Sequence, residues 1–194
     1  MTNRWTRSIG LTLIMFTALF GSANATERQH FALSFFVFEG LTQTANDHSA
    51  PALVQQAVSE ASAVLGYRGA RLVDRRTWLV RSDGDMARTL DYRGTSIKVA
   101  DQADVRFALR FDSQARFLTL IDLVLSSDAD VLLHTSIGIE DQGAAVAGVI
   151  QPERDGREYF IVLTFQVSSA PFPGQSANAV FTVIDDWDAT QPAQ

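Results

Sequence analysis

A chain of 194 residues and 21.3 kDa that is 46% hydrophobic and 20% charged has the size and apolar content of one packed domain, which excludes a wholly disordered chain, a fibrous repeat and a multidomain assembly. It has no cysteine, so disulfides, thiolate metal sites, iron–sulfur clusters and a cysteine nucleophile are excluded too. Its formal net charge of −6 repels polyanions on average, which argues against nucleic acid or an anionic membrane surface as partner.

Arg4 and Arg7 precede an apolar run from Ile9 to Phe20 and then the small residues Gly21-Ser22-Ala23-Asn24-Ala25. The run holds about a dozen residues, against the roughly 20 that a helix needs to cross the hydrocarbon core. Ala23-Asn24-Ala25 offers the small-x-small pattern after which signal peptidase cuts. Residues 1–25 are therefore expected to be a secretory signal peptide, with the mature protein periplasmic or secreted and holding no stable membrane anchor. Loss of Arg4 and Arg7 leaves 14 basic against 22 acidic residues, a formal balance of −8.

The mature chain opens with Phe31 to Glu39, apolar on both faces, as expected of a central strand covered on both sides. A polar linker, Gly40 to Ala50, supplies Ser49 as an N-cap ahead of Pro51. Val54, Ala57, Val58, Ala61 and Leu65 then form one helical stripe, and Gly66 stands at the C-terminal cap. The opposite face carries Gln56, Ser59 and Glu60, and the helix reads as structural, with no polar residue aimed at a site.

Fifteen of the 16 basic residues are arginine, and Arg68, Arg71, Arg75, Arg76 and Arg81 fall close together. Arginine forks pair bidentately with carboxylates or phosphates, so this cluster is a candidate docking patch for an acidic partner. The bland alternative is that Arg71, Arg75 and Arg81 share one face of a strand and form its solvated side.

After Tyr67 the pattern becomes alternation with turns every eight to twelve residues, the mark of consecutive antiparallel strands. Leu72 to Arg81 leads to a turn at Ser82-Asp83-Gly84-Asp85, and Arg93-Gly94 separates two weaker runs, Met86 to Tyr92 and Thr95 to Val99. Val105, Phe107, Leu109 and Phe111 alternate with Asp104, Arg106, Ala108, Arg110 and Asp112, giving one dry and one wet face. Phe117 to Leu125, apolar at most positions, reads as central or covered on both faces. Next, Val131, Leu133, Thr135, Ile137 and Ile139 form the face of a strand that turns at Glu140-Asp141-Gln142-Gly143, with Gly143 in the left-handed conformation, and Ala144 to Ile150 pairs back. Tyr159 to Val167 is one more alternating strand. Pro171 and Pro173 then break the ladder, leaving Ala179 to Ile184 as an edge strand or docking segment and an acidic tail to Gln194.

Chemistry-bearing motifs are sparse. The three histidines, His30, His48 and His134, have no metal spacing, and the acidic groups Asp128/Asp130 and Asp185/Asp186/Asp188 are fragments of calcium loops without the closing glutamate. No nucleophile elbow, zincin, P-loop or dinucleotide fingerprint occurs. No cofactor, metal site or catalytic residue is expected.

The segment from Val131 to Ile139, followed by Asp141-Gln142-Gly143 and Ala145-Val146-Ala147-Gly148, resembles the conserved hairpin of the secretins, outer-membrane channels of secretion and pilus systems. The family's Asp-Gly-Gln-type turn is Asp-Gln-Gly here, and small alanines replace the bulkier residues that follow it. The resemblance implies a small accessory component of an export or surface-assembly system and carries over no catalytic residue.

The sequence thus predicts an α+β fold: one strand and one amphipathic helix packed on a mainly antiparallel, meander-like sheet. Residues 26–169 form the domain, and 170–194 form a break, an edge segment and a tail. The expected function is that of a non-catalytic envelope protein that binds an envelope protein partner. The alternatives are a binder of small apolar or amphipathic molecules, held between helix and sheet, and a hydrolase of an envelope polymer.

Overall fold

The computed structural model describes residues 29–45, 49–82, 89–99, 101–112, 115–128, 130–152 and 156–185. The expected signal peptide, His48, the turn at Asp83-Gly84-Asp85 and the tail from Asp186 onward lie outside the described residues.

The protein is mainly antiparallel β-sheet with one helix. The elements are β1 (Gln29–Leu41), α1 (Ala52–Leu65), β2 (Gly69–Ser82), β3 (Leu90–Val99), β4 (Asp101–Asp112), β5 (Phe117–Ser127), β6 (Asp130–Glu140), β7 (Gly143–Ile150), β8 (Tyr159–Ser168) and β9 (Phe181–Ile184). They build a five-stranded sheet in the order β7-β8-β1-β2-β9 and a four-stranded sheet in the order β3-β4-β5-β6. Strands β3 to β6 follow one another as a meander, whereas in the larger sheet β1 pairs with β8 and β2 with β9, so segments far apart in the chain meet there.

Strand β1 is central in the larger sheet and buried on both faces, as its unbroken apolar run requires. Phe31, Leu33, Phe35 and Val37 point into the core shared with the smaller sheet, while Phe36 and Phe38 pack with Val54 and Ala61 of α1. Aromatic rings bridge the sheets: Phe31 meets Phe111 at 4.6 Å, and Phe35 meets Phe107 at 5.9 Å between centroids. Each such ring contributes about 1.5–3 kcal/mol by burial, so the inter-sheet layer is the principal source of stability.

Several expectations need correction. Ser49 is not the N-cap: Pro51 holds that position without a side-chain cap, and the Gln55 amide donates to the Ala50 carbonyl at 2.6 Å. Leu65, assigned to the buried stripe, is 37% exposed, because the helix ends as it leaves the sheet. Arg93-Gly94 is not a turn. Gly94, at φ 130°, makes a bulge inside the continuous strand β3.

Strand β5 is interior to its sheet, but only Leu118, Leu120, Leu123 and Leu125 are buried; Ile121 and Val124 on the other face are half-buried. A second bulge, where Ser126 pairs with Val131, turns Val131 outward to 63% exposure.

The segment from β6 to β7 is not a paired hairpin, because β7 joins β8 in the other sheet. The turn is pinned there: the Gln142 N–H donates to the Phe165 carbonyl at 2.8 Å and the Val167 N–H to Asp141 Oδ1 at 2.8 Å. Gln142, not Gly143, takes the left-handed conformation, with φ 58°. Gly143 is needed for closeness instead, since a Cβ there would lie 2.8 Å from the Glu140 carbonyl oxygen.

Strand β9 pairs with β2 at the sheet edge, and Phe172 from the proline-rich break is 4% exposed against Ala32 and Leu79.

Candidate functional site

Helix α1 lies across the outer face of the five-stranded sheet on a small-residue stripe, Val54, Ala57, Val58 and Ala61. The left-handed Gly66, at φ 80°, ends it, and the Gly66 and Tyr67 N–H groups both donate to the Ser62 carbonyl. This cap swings Tyr67 back over the sheet. Its ring covers Gly40, where a Cβ would lie only 2.6 Å away, and stacks on Phe160 at 5.9 Å; Phe160 in turn stacks on Phe38 at 5.6 Å.

Between the C-terminal half of α1 and this aromatic floor lies a cleft of about 370 Å³, lined among others by Phe38, Gln55, Val58, Ser62, Tyr67 and Arg68. Its walls are half polar in character, which suits a molecule with an apolar body and a polar end. Ser62 is 9% exposed, and its Oγ is buried with no hydrogen-bond partner among the described residues. A buried hydroxyl left without a partner costs about 1–3 kcal/mol.

The Tyr67 hydroxyl donates to Glu158 Oε2 at 2.5 Å. Burial, the hydrogen bond to Glu158 and the Glu158 charge together push the Tyr67 phenol up to about 12 from 10.0. The folded state therefore favours the neutral phenol. Its contribution to stability is complete below pH 10 and is lost as pH rises through about 12. Ultraviolet titration should show the Tyr67 phenol ionising near pH 12, and Tyr67→Phe should remove that contribution and flatten the loss of stability between pH 10 and 12. A Tyr67→Phe difference titration with its midpoint near pH 10 would contradict the Tyr67–Glu158 bond.

The five candidate arginines do not form one face. The extra residue Val73, at the bulge opposite Val37 and Phe38, reverses the alternation along β2. Arg71 pairs with the buried Glu39, which also holds Arg157 at 3.6 Å. Arg75 lies over the Phe36 ring at 6.0 Å on the helix side. Arg76 pairs with Asp74 and Asp185 on the other face, and Arg81 donates to the Ala177 carbonyl. Arg68 alone reaches the cleft, at its exposed rim.

The described histidines are far apart in role. His30 is buried, with Nδ1 at 2.8 Å from Gln175 Oε1, while His134 is exposed, with Nε2 at 3.3 Å from Asp122 Oδ1. Ser136 Oγ accepts from the Asp122 backbone N–H at 3.3 Å, so the exposed Asp122, His134 and Ser136 share a patch on the outer face of the smaller sheet. Among the described residues no group of three or more histidine and acidic side chains could hold a metal ion.

Sequence reasoning missed Ser62, Tyr67 and Glu158. Ser62 stands eight residues after Val54 and four after Val58, on the buried stripe itself, and that spacing was the available signal. Glu158 carried none, because only the tertiary fold brings it to Tyr67, 91 residues away. No family model, curated protein or solved structure matches this chain.

Proposed function

We propose that this is an exported, non-catalytic binding protein whose cleft beneath α1 receives one small amphipathic molecule. The observation that carries the reading is the cleft of about 370 Å³ between α1 and the sheet, lined by Phe38, Val58 and Tyr67 and with Arg68 at its rim. Its volume falls within the range of small-molecule sites, roughly 300–1,000 Å³. The leader-like residues 1–25 support the envelope location.

A second reading, docking onto an envelope protein of a secretion or surface-assembly system, draws support from Val131, Val146 and Val149 at the edge strands β6 and β7, exposed by 63%, 38% and 38%. Such edges can accept an added strand.

One experiment addresses both. Protein recovered from the envelope, with its N-terminus at Thr26 by mass spectrometry, is titrated with decanol and decanoate while backbone amide shifts are followed by NMR. The expected result is saturable shifts at Ser62, Tyr67 and Arg68, abolished by Val58→Trp, which fills the cleft. Ala63→Trp at the exposed rim serves if Val58→Trp fails to fold. Recovery only as an uncleaved cytoplasmic chain would overturn the export half. No shift with either probe, together with crosslinking through β6 or β7 to an envelope protein, would favour docking instead.

A further inference from the structure

We infer that the cleft selects a monocarboxylate of about a dozen non-hydrogen atoms, its apolar body against Phe38 and Tyr67 and its carboxylate at Arg68. This inference rests on the cleft-binding reading and adds the chemical class of the ligand.

The size follows from the space. At about 30 Å³ per non-hydrogen atom, the share that one water takes in the liquid, a cleft of about 370 Å³ holds roughly twelve such atoms. The apolar body follows from the lining, to which Phe38, Val58, Ala63, Tyr67 and Ala70 all contribute.

The charge follows from the pairing at this end of the molecule. Arg71 and Arg157 both serve Glu39, and Glu158 accepts from Tyr67. Arg68 has no carboxylate partner among the described residues and is exposed at the mouth. Among the described residues, the Arg68 guanidinium therefore stands at the opening without a carboxylate paired to it. The acidic average of the chain does not cancel it, because charges more than about 8 Å away are largely screened at physiological ionic strength. A guanidinium fork grips a carboxylate through two hydrogen bonds, a match that neither an alcohol nor an amine can make.

Decanoate, decanol and decylamine, which differ only at the polar end, are titrated by calorimetry into the envelope-recovered protein and its Arg68→Gln variant. The expected result is that decanoate binds at least tenfold more tightly than decanol, that decylamine is the weakest, and that Arg68→Gln brings decanoate down to the level of decanol. Arg68 packs on no core cluster, so the variant should melt as the parent does. Equal binding of all three, lost on Val58→Trp, would overturn the carboxylate assignment and leave the cleft reading standing. Binding of none would overturn both.

Discussion

Replacing Trp78 by alanine is expected to lower stability by about 4 kcal/mol, a large part of the 5–15 kcal/mol that holds a domain of this size. Trp78 is fully buried, and three rings meet it edge to face: Phe35 at 4.6 Å, Phe107 at 5.5 Å and Tyr92 at 5.6 Å. Phe107 and Tyr92 belong to the smaller sheet and Phe35 to the larger, so the indole joins the two layers. Its removal leaves a cavity that neither sheet can close without breaking its own ladder. Trp78→Phe should behave differently. Nε1 is buried with no hydrogen-bond partner among the described residues, and phenylalanine deletes that group while keeping most of the ring packing. The loss should stay below about 2 kcal/mol. Urea unfolding followed by far-ultraviolet circular dichroism would measure both, and an alanine variant within about 1 kcal/mol of the parent would contradict the inter-sheet role.

The second large effect is expected at Gly69, where β2 begins beside the cleft. A Cβ there would lie 2.3 Å from the Ala45 carbonyl oxygen, 2.6 Å from the Ala45 nitrogen and 2.7 Å from the Gln43 carbonyl oxygen. All three are backbone atoms, so no side chain can turn aside. The same loop is tied by the Ala70 N–H to the Ala45 carbonyl at 2.9 Å and by the Arg68 N–H to the Leu41 carbonyl at 2.8 Å. Gly69→Ala must force this loop away and lose at least one of those bonds, at a cost of about 3 kcal/mol. Gly66→Ala, three residues earlier, is the control. Nothing stands within 4 Å of a Cβ at Gly66, so only the left-handed conformation is penalised, by about 1 kcal/mol. Thermal melts of the two variants should therefore separate, and equal melting temperatures would show that the loop yields to the added methyl group.

The cleft and the crowded Gly69 lie in one small region, because the loop that crowds Gly69 precedes the helix whose end forms the cleft wall. Tyr67 links them: its ring rests on Gly40, its hydroxyl on Glu158, and its neighbours are the cap Gly66 and the rim residue Arg68. Its position is fixed by this packing and by its hydrogen bond.

The sequence by itself determined the elements and their faces. The doubly apolar run of β1 required a central, covered strand. The alternation from Asp104 to Asp112 required one buried face, and the stripe ending at Gly66 required a helix closed by a left-handed residue. These are local consequences of side-chain periods of two and 3.6, which residues carry in their order.

What only the tertiary structure decided is where the chain changes sheet, how bulges at Val73, Gly94 and Leu132 reverse a face, and which groups meet at the cleft. A single inserted residue exchanges the two sides of a strand without altering its composition, so Arg71 and Arg75 part company and Val131 turns outward. Tyr67 and Glu158 meet, and Ser62 loses its partner, through contacts between segments far apart in the chain, and such contacts leave no periodic trace in the order of residues.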